Sequence, residues 1–225
     1  PVLTGVEVKI EGGEVSFAAA DGFRLALCNS ALSTTDAVSI SAIIPARGLA
    51  ELARIVGNQD EPVTLTLPPG RGQAIFRAQD VELVSQLIEG NFPDYQQLIP
   101  ESYSTRTVLA TDRFLNACRA AQVFAREAAY AARLNIRPGN GSDTGSVEVS
   151  ANAAETGSNE SVVEATVEGD ALEIAFNVRY LTDVLHVIDT PNVALETNGE
   201  ASPGVIRPVG RNDFISVIMP MHIGR

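Results

Sequence analysis

The sequence predicts an α+β fold built twice, each copy an antiparallel sheet with helices packed on one face. Alternation such as Val63-Thr64-Leu65-Thr66-Leu67 suits half-buried antiparallel strands. Between such runs lie segments of helical period with one apolar stripe. The third observation is an internal repeat. A shift of 132 positions lays Pro45-Ala46-Arg47-Gly48-Leu49-Ala50-Glu51-Leu52 on Asn177-Val178-Arg179-Tyr180-Leu181-Thr182-Asp183-Val184. The same shift lays Val15-Ser16-Phe17-Ala18-Ala19-Ala20 on Val147-Glu148-Val149-Ser150-Ala151-Asn152. One offset satisfying two separated segments points to duplication.

In chain order, strands are expected near 3–10, 14–19 and 24–29, a helix over 46–56, and strands near 63–67, 73–78 and 81–88. Gly70-Arg71-Gly72 after Pro68-Pro69 reads as a hairpin turn. A proline-bracketed connector follows, and Pro100 to Arg106 reads as the linker. The second domain then shows a strand over 106–110 and a helix over 111–127. Phe114, Cys118, Ala121 and Ala125 share one face of that helix, and Thr111 is its expected N-cap. Strands near 132–137, 145–151, 160–168 and 171–176 precede a helix over 178–188. Strands near 192–197, 204–208 and 213–219 complete the unit. Gly139 to Ser142 and Asn152 to Glu160 read as polar loops. The domains are thus 1–105 and 106–225. The counterpart of the 111–127 helix would lie before Pro1, so the first domain is expected to lack its opening helix.

Each helix leaves a basic face. On 46–56, Leu49, Leu52 and Ile55 or Val56 form the expected buried stripe, which leaves Arg47 and Arg54 seven residues apart on the other side. Arg179 and His186 are their equivalents in the repeat, where Leu181, Val184, Leu185 and Ile188 form the stripe. On 111–127, Arg113, Arg119 and Arg126 avoid the apolar face. Such faces could meet a phosphate backbone without reading bases. A solvated face balanced by Glu51, Asp112, Glu127 and Asp183 is the plainer alternative.

Composition narrows the classes. The chain has 225 residues and a net charge of −12, which argues against a general polyanion binder, although local positive surface remains compatible with it. No apolar run approaches the ~18 residues that span a bilayer. Pro1-Val2-Leu3-Thr4-Gly5 has neither a secretory signal pattern nor an initiator methionine, and reads as the start of a fragment or processed chain. Cys28 and Cys118 lie among apolar neighbours without metal-ligand spacing. Two buried, reduced thiols in a cytoplasmic protein are expected, and sequence alone leaves a disulfide open. Metalloprotease, P-loop, nucleophile-elbow and dinucleotide motifs are missing, so no catalysis, metal or cofactor is expected. Asp21 and Asp94 are expected to cap turns rather than to form a catalytic carboxylate pair.

Three motifs carry a family resemblance: Gly90-Asn91-Phe92-Pro93-Asp94-Tyr95-Gln96-Gln97-Leu98-Ile99-Pro100, Asp21-Gly22-Phe23-Arg24-Leu25-Ala26, and Val217-Ile218-Met219-Pro220-Met221-His222. Together they resemble the bacterial DNA polymerase III β subunit family, the replicative sliding clamps, over the middle and C-terminal domains. The resemblance implies tandem DNA-clamp domains, antiparallel sheets outside and two helices per complete domain on the inner face. It implies a ring-shaped homodimer of the full-length protein around double-stranded DNA, with contacts that carry no sequence specificity. It also implies a non-catalytic subunit of the polymerase III holoenzyme that tethers the polymerase α subunit, clamp-loader subunits and other polymerases or repair proteins through their short linear motifs. The matching positions for that peptide pocket between the two domains are Leu3, Ala20, Gly22, Phe23, Arg24, Leu25, Pro93, Gln97, Leu98, Asn177, Tyr180, Val217, Ile218, Met219, Pro220, Met221 and His222, with Pro203 and Ala201 on a looser alignment. The DNA-facing set is Arg47, Arg54, Arg113, Arg119, Arg126, Arg179 and His186.

The chain departs from the family pattern at Ala20, Phe23, His222 and Ala129, the last with Tyr130 beside it. Two other classes compete with this one. A small hydrolase would need a clustered acid, base or nucleophile, and a β-rich peptide-binding adaptor would never meet DNA.

Overall fold

Short alternating runs punctuated by glycine become hairpins, and the two-residue Gly12-Gly13 link is the clearest. Both glycines have positive φ, 60° and 85°, the conformation that a tight two-residue turn needs. It joins β1 (Gly5–Glu11) to β2 (Glu14–Ala20), with Glu11 opposite Glu14. The computed structural model describes residues 2–33, 39–58, 60–140, 144–153 and 157–222. The chain divides into two units, Pro1–Asp94 and Tyr95–Arg225.

In the first unit, β3 (Arg24–Ala31) and β4 (Ile40–Pro45) complete an antiparallel sheet in the order β3-β2-β1-β4. Helix α1 (Ala46–Val56) follows directly and stops at Gly57, whose N–H donates to the Ala53 carbonyl at 3.0 Å. A second sheet holds β5 (Thr64–Thr66), β6 (Gln73–Ala78) and β7 (Val81–Gln86) in sequence order. Val8, Ile44, Ala74 and Phe76 form the core, with Leu49 and Leu52 of α1 packed against it half-buried.

The second unit contains β8 (Thr105–Ala110), α2 (Thr111–Ala125), β9 (Ala131–Arg137), β10 (Gly145–Ala153), β11 (Gly157–Gly169), β12 (Leu172–Asn177), α3 (Val178–Val187), β13 (Asn192–Thr197), β14 (Gly204–Pro208) and β15 (Phe214–Ile218). Its strands run β12-β9-β10-β11-β8-β13-β14-β15, every neighbouring pair antiparallel. Phe114, Cys118, Ala121 and Ala125 of α2 are fully buried, as the helical period predicts. Leu181, Val184 and Leu185 of α3 and Ile188 just beyond it join them in one core.

Five expectations need correcting. The strand Ile40–Pro45 lies outside the expected elements, because its apolar run Ala42-Ile43-Ile44 does not alternate and it ends in proline. It lies at the end of its sheet, where proline is tolerated. Thr111 is the first residue of α2 rather than its cap. Ala110 holds the cap position, and the Thr111 hydroxyl donates instead to the Thr190 carbonyl at 2.7 Å. Residues 152, 153 and 157–160, read as polar loop, belong to β10 and β11, where ladder pairing outweighs polar composition; positions 141, 142 and 154–156 of the expected loops lie outside the described residues. No residue of α1 is fully buried, so its apolar stripe is only half covered. Cys118 is buried but Cys28 is only half-buried, and both thiols are reduced.

Candidate functional site

Asp21 organises the turn between β2 and β3. Its Oδ1 accepts from the backbone N–H groups of Phe23 and Arg24, each at 3.1 Å, and its Oδ2 accepts from Arg24 Nε at 2.9 Å. Gly22 takes the positive φ, 86°, that this turn requires. Asp21 therefore caps a turn, as expected, and holds Phe23 outward with 62% of its surface exposed. Ala20 and Leu25 face each other where the strands enter the turn, and Leu25 is buried. Leu3, in the 3-10 turn Val2–Thr4, is also exposed.

Beyond exposed Pro93, the connector ends in a 3-10 turn, Gln96–Leu98, closed by the Leu98 N–H on the Tyr95 carbonyl at 3.0 Å. Tyr95 is buried, while Gln97 and Leu98 are exposed. The prolines confine the turn to this short span, because each fixes φ and forbids a continuing helix.

Asn177 caps α3, its Oδ1 accepting from the Arg179 N–H at 3.0 Å. Tyr180 is half-buried against the core. Pro203 is half-buried and Ala201 exposed, next to β14. At the end of β15, Val217 and Ile218 are buried, whereas Met219 is exposed and Pro220 and Met221 are half-buried. The Met221 N–H donates to the Ala175 carbonyl of β12 at 2.8 Å, so this segment is anchored to the sheet rather than frayed. His222 is exposed. The apolar members of the expected pocket positions thus separate into buried ones, Leu25, Val217 and Ile218, and exposed ones, Leu3, Phe23, Leu98 and Met219.

All seven predicted basic residues are exposed on their helices or helix ends. Their surroundings differ. Arg54 is held by Glu51, with contacts of 2.6 and 3.0 Å that raise the guanidinium pKa and lower that of the carboxyl through the hydrogen bond. Arg179 stacks over the Tyr130 ring at 4.9 Å. Tyr130 has φ 63° and follows Ala129 at 51°, a strained pair of non-glycine residues whose second carbonyl accepts from the Val178 N–H at the start of α3. Arg119 Nη2 lies 3.3 Å from His186 Nδ1, which puts α2 and α3 side by side. A guanidinium can only donate, so Nδ1 is the acceptor in a hydrogen bond between them. Arg47, Arg113 and Arg126 form no ion pair among the described residues.

Sequence reasoning missed one feature. Arg133, Glu173, Ile174, Ala175, Glu200, Met221 and His222 line an open cleft of about 200 Å³ in the second unit. Its residues come from β9, β12, the β13–β14 loop and the segment after β15, so no local motif announces it. The second unit also carries an open edge. Strand β11 pairs with β10 along 157–165 but with β8 only along 165–169, which leaves residues 157–164 unpaired on one side among the described residues. Val162 on this strand and Val123 on α2 are exposed. Among the described residues no helix is long and apolar enough to cross a membrane.

The chain matches two family models in succession, the DNA polymerase III beta subunit central domain over residues 1–94 and its C-terminal domain over 96–222. It is 31% identical over 223 residues to the beta sliding clamp of Synechococcus elongatus, covering 99% of this chain and 58% of that protein. The crystal structure of the Bacillus subtilis DNA polymerase sliding clamp superposes with a TM-score of 0.91 at 31% identity, over 100% of this chain and 58% of the other. That of the Pseudomonas aeruginosa clamp bound to griselimycin gives 0.89 at 29%, over 99% and 58%. The chain therefore spans a little under three fifths of the length of the relatives it matches.

Proposed function

The chain belongs to the DNA polymerase III beta subunit family, the sliding clamps, and from that membership we propose that it forms the middle and C-terminal parts of a replicative clamp. The complete protein closes as a ring-shaped homodimer around double-stranded DNA. It performs no bond chemistry; by tethering, it raises the effective concentration of polymerase at the primer end. Its setting is the cytoplasm.

The observation that carries this reading is the outward display of arginine on three successive helices of a protein whose net charge is −12. Arg47, Arg113 and Arg126, which form no ion pair among the described residues, supply the backbone contacts, with Arg119, Arg179, His186 and Arg54 beside them. Contacts of this kind hold DNA without fixing a register, as sliding requires. The unpaired edge of β11, with Val162 and Val123 exposed near it, suits main-chain pairing with a strand of a second subunit.

Partners are the polymerase α subunit, clamp-loader subunits and other polymerases or repair proteins, which dock through short linear motifs. Each unit carries its share of that surface. Leu3 and Phe23 in the first and Leu98 and Met219 in the second offer exposed apolar contacts, 42%, 62%, 54% and 44% accessible. Ala20, Gly22, Arg24, Leu25, Pro93, Gln97, Asn177, Tyr180, Pro203, Val217, Ile218, Pro220, Met221 and His222 shape or frame them. Methionine suits such a role because its flexible, polarizable chain adapts to several apolar partners. A second reading, a peptide-binding adaptor that never meets DNA, draws on the neutralisation of Arg54 by Glu51.

Fluorescence anisotropy with a labelled Gln-Leu-x-Leu-Phe peptide tests the reading. Saturable binding at micromolar concentration is expected. It should be lost in a Leu98→Ala, Met219→Ala double variant, whose exposed side chains can be shortened without unfolding the chain. Failure of the folded wild-type chain to bind would overturn the proposal.

A further inference from the structure

We infer that the cleft beside Met221 is a flanking subsite that takes a lysine or arginine lying next to the linear motif of a partner. The inference rests on the partner-binding reading above and adds to it residues outside the motif positions: Arg133, Glu173, Ile174 and Glu200.

The lining dictates the occupant. Half-buried Met221 supplies an apolar wall, and Ile174 and Ala175, both nearly fully buried, lie beneath a cleft whose accessible lining is mainly polar. That wall is fixed, because the Met221 N–H is bonded to the Ala175 carbonyl. On the polar side, Arg133 Nη1 and Glu173 Oε1 lie 2.8 Å apart and largely neutralise each other. Glu200 has no ion pair or hydrogen bond among the described residues, so its carboxylate is the uncompensated charge of the cleft. A mainly polar cleft with one apolar wall and an uncompensated carboxylate matches a side chain with a short hydrocarbon contact and a cationic head. At about 200 Å³ the space is below the ~300–1,000 Å³ of small-molecule pockets and fits one or two side chains. Met221 and His222 belong both to this cleft and to the proposed motif surface, so a bound peptide need extend only a residue or two to enter it.

The test compares three labelled peptides on the intact chain: the Gln-Leu-x-Leu-Phe core flanked by alanines, the same core preceded by two lysines, and the core followed by two lysines. One lysine-flanked peptide should bind at least fivefold tighter than the alanine-flanked one at low salt. Glu200→Gln and Glu173→Gln should each reduce that gain while leaving the affinity of the alanine-flanked peptide unchanged. Equal binding of all three peptides would overturn the inference and leave the motif reading intact. A lysine gain that survives both substitutions would overturn it too, since attraction to the overall negative charge would then explain it. If no peptide binds, the motif reading fails and the subsite falls with it.

Discussion

The two units follow one plan at a 132-residue offset, yet they bury their helices very differently. Helix α3 sinks Val178, Leu181, Val184 and Leu185 into the core, and α2 lies against it with seven buried residues of its own. Helix α1 is the counterpart of α3 and buries none. Among the described residues the first unit has no counterpart of β8 or α2. In the second unit β8 bridges β11 and β13, so one sheet runs through the whole unit, while the first unit has two separate sheets. The difference teaches that an amphipathic stripe defines which face of a helix seeks cover, and that the cover must come from another element.

Core truncations sharpen this contrast most. Phe114→Ala should cost about 3–5 kcal/mol, because the ring is fully enclosed and leaves a cavity. Leu52→Ala in half-covered α1 should cost only about 1 kcal/mol, roughly half the value of a fully buried leucine. Urea denaturation of each variant checks the pair; equal losses would mean that α1 is as well covered as α2.

The cysteines read the same asymmetry through reactivity. Burial pushes the Cys118 thiol pKa well above its usual range, so no thiolate forms at neutral pH in the folded state. A thiol reagent should therefore modify half-buried Cys28 at least tenfold faster than Cys118, as peptide mass mapping after timed labelling would show. Similar rates would indicate that the second unit opens as readily as the first.

The smallest effect concerns surface charge. Arg211 holds the Asp213 carboxyl below the usual range, chiefly by a side-chain hydrogen bond, as Arg54 does for Glu51 in the first unit. A depressed folded pKa contributes stability above the unfolded pKa, near 4, and that stability is lost as pH falls through the folded value. Asp213→Asn and Glu51→Gln should each lower the urea midpoint slightly at pH 7 and converge on wild type as pH falls below about 4, so that the acid decline of each variant is shallower. Curves that coincide with wild type at all pH values would show that these exposed pairs contribute nothing.

Much of this fold was legible because period and punctuation are local. Gly12-Gly13, the Asp21 turn and the stripe of α2 each declare their geometry within a few residues. The 132-residue offset carries Ile40–Pro45 onto Leu172–Asn177 residue for residue, so the strand that alternation does not mark is implied by its partner in the repeat. The candidate surface was legible in membership but not in depth. Leu25, Val217 and Ile218 are as apolar as Leu98 and Met219, and only packing sorted the buried from the exposed.

By itself, then, the sequence determined the α+β class, the duplication, the faces of the helices and the motifs that mark the family, since all of these are written in spacing along the chain. Tertiary structure alone decided which arginines find a carboxylate or a ring, how α2 covers α3 while α1 lies half bare, and that Arg133, Glu173, Glu200 and Met221 share one cleft. The physical reason is range. Backbone preference and side-chain periodicity act over a few residues, whereas burial and charge pairing depend on neighbours that only the folded chain brings together.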